Sequence, residues 1–385
     1  MEKWGKQAFI FPVGYEAFHK KQLYNFQLNR PYSFGYARRE DLWDVGKRIH
    51  SFSDWTAEML KLATTAEKEG RLMNAAFYYR AAEFYLKWKD ALKSGLYETF
   101  ISLFDQAFEG DDYQRHLIPY ENALLSALRI NPKGDRKGTL VIHGGFDSLI
   151  EEFYSMMWYF ASRGYEVIGF EGPGQGASLR KHGLPITIAW EKPVRAILDH
   201  FGLEDVTLIG LSMGGWFCLR AASFEERVKR VIANGHAIDY MKSMPGFLRK
   251  IHLWSMTRWP GMMNRMAEWK FSNREGVQGW MVDQLKFITQ KTKALEALDL
   301  YLQLNTENIR ADQVKQDVLI LSGSHDHFIP RKMHGMQLKA LVNARSVTGK
   351  MFYPDEQAEN HCQIGNFELG LRTMADWLNG FQRKE

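Results

Sequence analysis

The segment Val206-Thr-Leu-Ile-Gly210-Leu-Ser212-Met-Gly214-Gly215 constrains this chain more than any other. An apolar strand runs into a tight turn, with glycines two residues either side of a serine, and a helix opens directly behind it. Side chains at those glycine positions would collide, so the serine is expected in a strained conformation with its hydroxyl presented at the sheet edge. A strand followed at once by a helix is also the repeating unit of a parallel sheet. The neighbouring sequence repeats it: Thr139-Leu-Val-Ile-His, a helix from Ile150 to Ser162, Tyr165-Glu-Val-Ile-Gly-Phe, and a helix from Ile188 to Phe201. After Val206-Thr-Leu-Ile-Gly come a helix from Met213 to Ser223, Val228-Lys-Arg-Val-Ile-Ala, Asp317-Val-Leu-Ile-Leu and Ser346-Val-Thr-Gly-Lys-Met-Phe-Tyr. Unbroken apolar strands of this kind belong to a sheet covered by helices on both faces.

Two stretches stand outside that alternation. From Trp43 to Ala107 apolar residues recur three and four apart, as in Asn74-Ala-Ala-Phe-Tyr-Tyr-Arg-Ala-Ala-Glu-Phe-Tyr-Leu, which predicts an all-helical appendage. Short β-rich segments, Leu117-Ile-Pro-Tyr and Ala123-Leu-Leu-Ser-Ala-Leu-Arg-Ile, then introduce the second region. Between the strands beginning at Val228 and Asp317 lie roughly eighty residues, far more than a crossover helix needs, so an insertion is expected there. Its Met- and Trp-rich runs, Leu253-Trp-Ser-Met-Thr-Arg-Trp-Pro-Gly-Met-Met-Asn-Arg-Met and Trp280-Met-Val-Asp-Gln-Leu-Lys-Phe-Ile, suit a helical lid. The expected division is residues 1–115 for the helical region, 116–237 with 311–385 for the sheet domain, and 238–310 for the lid.

Composition narrows the function classes. Lys and Arg number 50 against 45 Asp and Glu, and this surplus of +5 is not gathered into a basic run that could track phosphates, so no nucleic-acid partner is expected. The first twenty-one residues, MEKWGKQAFIFPVGYEAFHKK, hold no signal-peptide core, and no stretch approaches the roughly 18 apolar residues of a membrane span. Two distant cysteines, Cys218 and Cys362, show no paired spacing and suit a reducing compartment, so a cytoplasmic protein without a membrane association is expected. Twelve Trp, 25 Phe, 16 Tyr and 17 Met, many outside the strands, suggest a pocket for an apolar or aromatic small molecule. Exposed aromatic surface on the helical region would suit a homodimer.

A serine hydroxyl needs a base, and the base needs an acid to orient it. Asp326 follows the strand Asp317-Val-Leu-Ile-Leu on the loop Ser322-Gly-Ser-His-Asp326, where the carboxyl ends of parallel strands gather, and is the expected acid. Of His325, His327, His334 and His361, only His361 follows the last strand, and it is the expected base. His325 and His327 would then be pocket-rim residues. The oxyanion of such a reaction needs two backbone donors: the amide of Met213, at the start of the helix, and the amide of Gly145 or Phe146 in His143-Gly-Gly-Phe-Asp-Ser148. The turn Glu171-Gly-Pro-Gly-Gln-Gly lacks dinucleotide-loop spacing, and Pro173 removes an amide, so its expected role is structural. Cys218 is read as core. No metal and no cofactor are expected, since no histidine pair has ligand spacing. Candidate substrate contacts are His143, Trp254, Met256, Trp259 and Met263, with Glu171, His236 and Asp239 as further polar groups; His143 is expected more to pack and hydrogen-bond so as to shape its loop than to act in catalysis.

These motifs together resemble the α/β-hydrolase superfamily over residues 117 to 380. More narrowly, a helical N-terminal region followed by Gly145-Phe-Asp-Ser148 and Glu171-Gly-Pro-Gly-Gln-Gly is similar to one branch of it. That branch holds 2,6-dihydropseudooxynicotine hydrolase, FrsA-like proteins and fungal polyketide-shortening hydrolases. The resemblance implies an α/β-hydrolase fold, a mostly parallel central sheet with helices on both faces, carrying an N-terminal all-helical region and a helical lid insertion. It also implies a pocket between sheet, N-terminal helices and lid, and makes cleavage of a ketone-activated carbon–carbon bond, in a β-diketone or aromatic polyketide, as credible as ester hydrolysis. Two other readings stay open: a non-catalytic FrsA-like binding or regulatory protein, and an aminopeptidase-like hydrolase. The intact serine, aspartate and histidine argue against the first, and the apolar lid against the second.

Overall fold

Strand alternation divides the interior into two cores. Along β3 (Gly138–His143), Leu140 and Ile142 join one core while Val141 joins the other. Along β5 (Val206–Leu211), Ile209 and Leu211 go to the first and Leu208 to the second. Successive side chains of a strand point to opposite faces, so a sheet this apolar must be covered twice.

The computed structural model describes residues 9–243, 246, 247, 250, 254, 255, 258–271 and 276–382. Among these, the strands β1 (Tyr113–Tyr120), β2 (Ala123–Ile130), β3, β4 (Tyr165–Glu171), β5, β6 (Val228–Asn234), β7 (Asp317–Gly323) and β8 (Ser346–Phe352) form one sheet in the order β1-β2-β4-β3-β5-β6-β7-β8. β1, β2 and β4 pair antiparallel, and every pair from β4 to β8 is parallel. Central strands β4, β5 and β7 are buried along their whole length, whereas edge strands β1 and β8 keep exposed residues, as edges facing water must. Each expected strand is present, and the expected helices are present with their ends shifted by no more than a few residues. For example, the helix expected from Ile188 begins at Glu191.

The first core is shared between the sheet and the N-terminal helices α1 (Gln22–Ser33), α2 (Arg39–Gly46), α3 (Phe52–Lys68), α4 (Leu72–Phe84) and α5 (Ala91–Ala107). Phe34 meets Phe367 of the C-terminal helix edge to face at 4.5 Å, and Phe104 meets Tyr154 at 5.1 Å. The helical region is therefore continuous with the sheet's own core rather than appended to it. Helix α1 lies ahead of the point where the sequence pattern starts to read as helix. Its buried face carries Asn25, Gln27 and Asn29 and it contains Pro31, so no apolar stripe announces it. The buried amides are satisfied instead: the Asn29 side chain donates to the carbonyls of Asn25 and Glu16, and the Asn25 side chain accepts from the His19 amide.

Between β6 and β7 the described residues form helices Pro260–Phe271, Val277–Thr289, Ala294–Gln303 and Thr306–Ile309. No helix among the described residues is long and apolar enough to cross a membrane.

Candidate active site

Gly210 and Gly214 are glycines for a steric reason. A Cβ on Gly210 would collide with the Gly214 carbonyl, and one on Gly214 would stand 2.6 Å from the Gly144 carbonyl oxygen. The turn they permit holds Ser212 at φ 57°, a left-handed conformation that costs a non-glycine residue on the order of 1–3 kcal/mol. The surrounding backbone sustains it: the Ser212 amide donates to the Asn234 carbonyl at 2.8 Å, and helix Gly214–Ala222 starts immediately behind.

Asp326 and His361 are 35 residues apart in sequence, yet both loops end at Ser212. His361 Nε2 lies 2.9 Å from Ser212 Oγ, and its Nδ1 lies 2.6 Å from Asp326 Oδ2. The second Asp326 oxygen accepts from the amides of Phe328 and Ile329 at 2.8 and 2.9 Å, which fixes the plane of the carboxylate. Burial alone would push the His361 imidazole down, but the Asp326 carboxylate, with Cys362 adding to it, holds the ring well above the ordinary histidine range. Such an arrangement can take the serine proton and stabilise the imidazolium that results.

Several residues that position the histidine carry no recognisable sequence signal. Cys362 and Gln363 both have positive φ, and the Asn234 side-chain amide donates to Gln363 Oε1 at 2.8 Å, tying the histidine loop to the end of β6. Phe26 of α1 packs against the His361 ring at 6.0 Å and Phe328 at 5.0 Å. His327 stacks between Phe26 and Phe328, and the His325 backbone pairs with Glu359, so both histidines flank the acid without joining the serine.

On the other side of Ser212 the loop 144–148 leans on the turn: a Cβ on Gly145 would stand 2.6 Å from the Met213 nitrogen. The Gly145 amide donates to Ser148 Oγ at 3.0 Å. Among the hydrogen bonds of the described residues, the amides of Met213 and Phe146 have no acceptor, so of the two alternatives Phe146 is the uncommitted one. Behind the loop, Gln175 of the Gly-Pro-Gly-Gln-Gly turn donates from Nε2 to the Gly144 and Gly145 carbonyls at 2.8 and 2.9 Å, while its Oε1 accepts from Gly172. Glu171 closes the same turn by accepting from the Ile150 and Ala177 amides, and burial together with nearby Glu151 raises its carboxyl. A Cβ on Gly176 would run into that carboxylate. The turn is thus a brace for the loop 144–148.

The remaining candidates lie elsewhere. His143 is fully buried between Phe170 and Trp190, with Nδ1 3.0 Å from the Gly144 carbonyl oxygen, and burial brings it down to about 4. It is a neutral ring under the loop with no surface to offer a substrate, which corrects its place among the contacts. Trp254 and Trp259 meet edge to face at 4.8 Å and are 56% and 43% exposed. Met263 packs with Ala267, Val282, Ala294 and Leu295, and Met256 lies outside the described residues. His236 is buried beside Gly215, and Asp239 accepts from the Met241 and Lys242 amides, capping the turn it begins. Cys218 is buried, and burial pushes its thiol up. A cavity of about 820 Å³ opens between α3, the 85–92 segment and helix Val277–Thr289, with Trp280 in its wall. Trp280 also faces Phe146 at 6.1 Å, and neither Ser212 nor His361 lines the cavity.

The model of the alpha/beta hydrolase fold family matches residues 139–348. Among curated relatives, Hydrolase acrC of Aspergillus aculeatus is 31% identical over 257 residues, 56% of this chain and 59% of that protein. The 20-hydroxy-prefusarin hydrolase FUS2 of Gibberella moniliformis is 29% identical over 243 residues, 55% of this chain and 53% of that protein. The chain thus spans less than two thirds of the length of these relatives. Among solved structures, 2,6-dihydroxy-pseudo-oxynicotine hydrolase aligns with a TM-score of 0.64 at 21% identity, over 91% of this chain and 94% of that one. AbyA5 aligns with a TM-score of 0.68 at 17% identity, over 89% and 90%. The sheet order, the strained serine turn and the family match over more than half the sequence lead to one conclusion: this chain belongs to the α/β-hydrolase fold family, on the side where fungal hydrolases resemble it in sequence and 2,6-dihydroxy-pseudo-oxynicotine hydrolase in fold.

Proposed function

We propose that the protein is a serine hydrolase that cleaves an ester or a ketone-activated carbon–carbon bond in an apolar or aromatic acyl compound. The observation that carries this reading is the continuous hydrogen-bonded chain Ser212–His361–Asp326, set opposite two unpaired amides. In the first step His361 Nε2 accepts the Ser212 proton as Oγ bonds the substrate carbonyl carbon, and the carbonyl π pair moves onto oxygen. The Met213 and Phe146 amides and the N-terminus of helix Gly214–Ala222 receive that oxyanion. Collapse expels an alkoxide, or a carbanion stabilised by its own carbonyl, and the leaving group takes the proton from His361. Water then gives a proton to His361 and attacks the acyl carbon. Ser212 leaves with that proton restored, and a carboxylic acid is released. The rings of Phe26 and Phe328 against His361, and of Phe146 on the loop beside Met213, suit an apolar or aromatic acyl group. Helices between β6 and β7 would serve as the lid.

The test is labelling with a fluorophosphonate, read by intact mass, on the wild type and Ser212→Ala. One adduct on the wild type alone supports the reading, and turnover of aryl esters against β-diketones then separates the two bond types. A wild type that takes no label and turns over neither substrate would favour a binding protein on the same fold.

A further inference from the structure

The 144–148 loop is gripped by a largely buried group of charges. Arg180, at the end of the short helix Gly176–Arg180, donates from Nη2 to Asp147 Oδ1 at 2.9 Å and to Glu83 Oε1 at 3.1 Å. Arg80 of α4 donates from Nη2 to the Asp147 carbonyl at 3.0 Å and pairs through Nη1 with Glu83. Lys93 of α5 approaches Glu83 at 2.8 Å. Glu152, just past the loop, is shared between Arg80 and Arg30 at 3.3 and 3.0 Å. The guanidinium of Arg180 is also flanked by the rings of Tyr97 from α5 and Phe287 from helix Val277–Thr289, at 5.2 and 5.3 Å.

Placing this many charges in a protein interior is expensive, and an apolar cluster of similar volume would stabilise the fold as well or better. What an ion cluster supplies and an apolar one does not is direction: each hydrogen bond fixes a particular atom. The atoms fixed here belong to Asp147, which is itself held at φ 44°. One residue before it stands Phe146, whose amide is uncommitted, and two before it Gly145, pressed against Met213. A displacement of about 1 Å at such a donor is enough to lose most of its effect on a transition state.

We propose that Arg180 is a positioning residue: by holding Asp147 it sets the Phe146 amide at the oxyanion site, so that the seating of the N-terminal helices and of helix Val277–Thr289 is read out as oxyanion stabilisation. This inference rests on the serine-hydrolase reading above. Arg180 touches no reacting atom and acts only through the loop. Because it joins three parts of the molecule, the helical region is a component of the catalytic apparatus as well as a wall of the core.

The test compares Asp147→Asn, Arg180→Lys, and the double variant Asp147→Asn with Arg180→Met, in which no Asp147 carboxylate is left facing an absent guanidinium. Each is read by kcat and KM on an aryl ester and by affinity for a trifluoromethyl ketone, whose adduct with Ser212 carries the oxyanion. Expected is a kcat loss of about 10²–10³-fold in the double variant, the size of losing one oxyanion donor. KM should stay within about threefold, the ketone should weaken by the same factor as kcat, and Arg180→Lys should recover part of both. Asp147→Asn, nearly isosteric and expected to fold, should lose at least about tenfold in kcat by itself. A folded Asp147→Asn or double variant with wild-type kcat overturns the inference, as does a loss that falls on KM with ketone affinity unchanged. A wild type that takes no fluorophosphonate label overturns the underlying reading instead, so the two failures are told apart.

Discussion

At Ser212, strain and chemistry are the same feature. A residue at φ 57° is tolerated because Gly210 and Gly214 leave the room and Asn234 takes the amide, and the result is a hydroxyl 2.9 Å from His361 Nε2. If the protein is the serine hydrolase proposed above, the protonation of that histidine sets the pH range of its activity. Asp326 raises the His361 pKa above its usual 6.5, and only the neutral ring can act as base. Activity should therefore fall as pH drops through a value above 6.5, and a kcat/KM profile on an aryl ester locates that limb. Asp326→Asn removes the charge that raises it, leaving burial to lower it, so the limb should move to lower pH while kcat falls about 10⁴-fold. A limb unmoved in Asp326→Asn would mean that another group controls it. That Ser212, Asp326 and His361 meet could be expected from residue type, order and position relative to strands, because the loops that carry them follow parallel strands whose carboxyl ends converge. Gln175, Asn234 and Gln363 could not be expected in the same way. Each acts through one hydrogen bond to a loop far away in sequence, and a single polar side chain has no pattern that announces it.

At the scale of elements, helix α1 and the turn 171–176 do what their sequences conceal. Phe26 reaches from α1 to the His361 ring, and it is buried to 3% in the core shared by helices and sheet. Phe26→Ala should cost about 3–5 kcal/mol in urea unfolding, as for other buried aromatics, and lower kcat as the imidazole loses its packing. A loss of stability with kcat unchanged would place Phe26 in the core alone. The turn has the opposite history. It is as rich in glycine as a ligand loop but lacks the spacing of one, so its expected role is structural, and the structure gives each part a physical job: Gly176 clears Glu171, Gly172 clears Trp190, and Gln175 braces two carbonyls of the loop 144–148. Strands were the most legible elements because complete burial requires uninterrupted apolar runs. α1 was the least legible because Asn25, Gln27 and Asn29 interrupt the apolar residues it buries.

For the molecule as a whole, the N-terminal helices and the sheet share one core, in which Phe34, Phe77, Phe104 and Phe108 lie with Leu128, Ile130, Tyr154 and Phe367. A chain beginning at Asp111 would expose that face of the sheet, leave Asp147 without Arg80 and leave Glu152 without Arg80 and Arg30. It should be insoluble, or else compact with weak near-UV dichroism and strong dye binding. A truncated protein that unfolds cooperatively and is soluble would show that the helices act at the site alone. The sequence by itself determined the sheet, the serine turn and the three side chains, Ser212, Asp326 and His361, that the fold brings into hydrogen-bond contact. Those features rest on local rules: burial on two faces demands apolar strands, a turn this tight demands glycine, and loops at the carboxyl ends of parallel strands converge. Only the tertiary structure decided that the Gly145 amide is committed to Ser148, that His143 is wholly buried, and that the helical region meets that loop directly through Arg80 and, by way of Glu83, through Arg180. Those outcomes depend on which polar groups meet across dozens of residues, and a hydrogen-bond partner is chosen by position in space after the chain has folded.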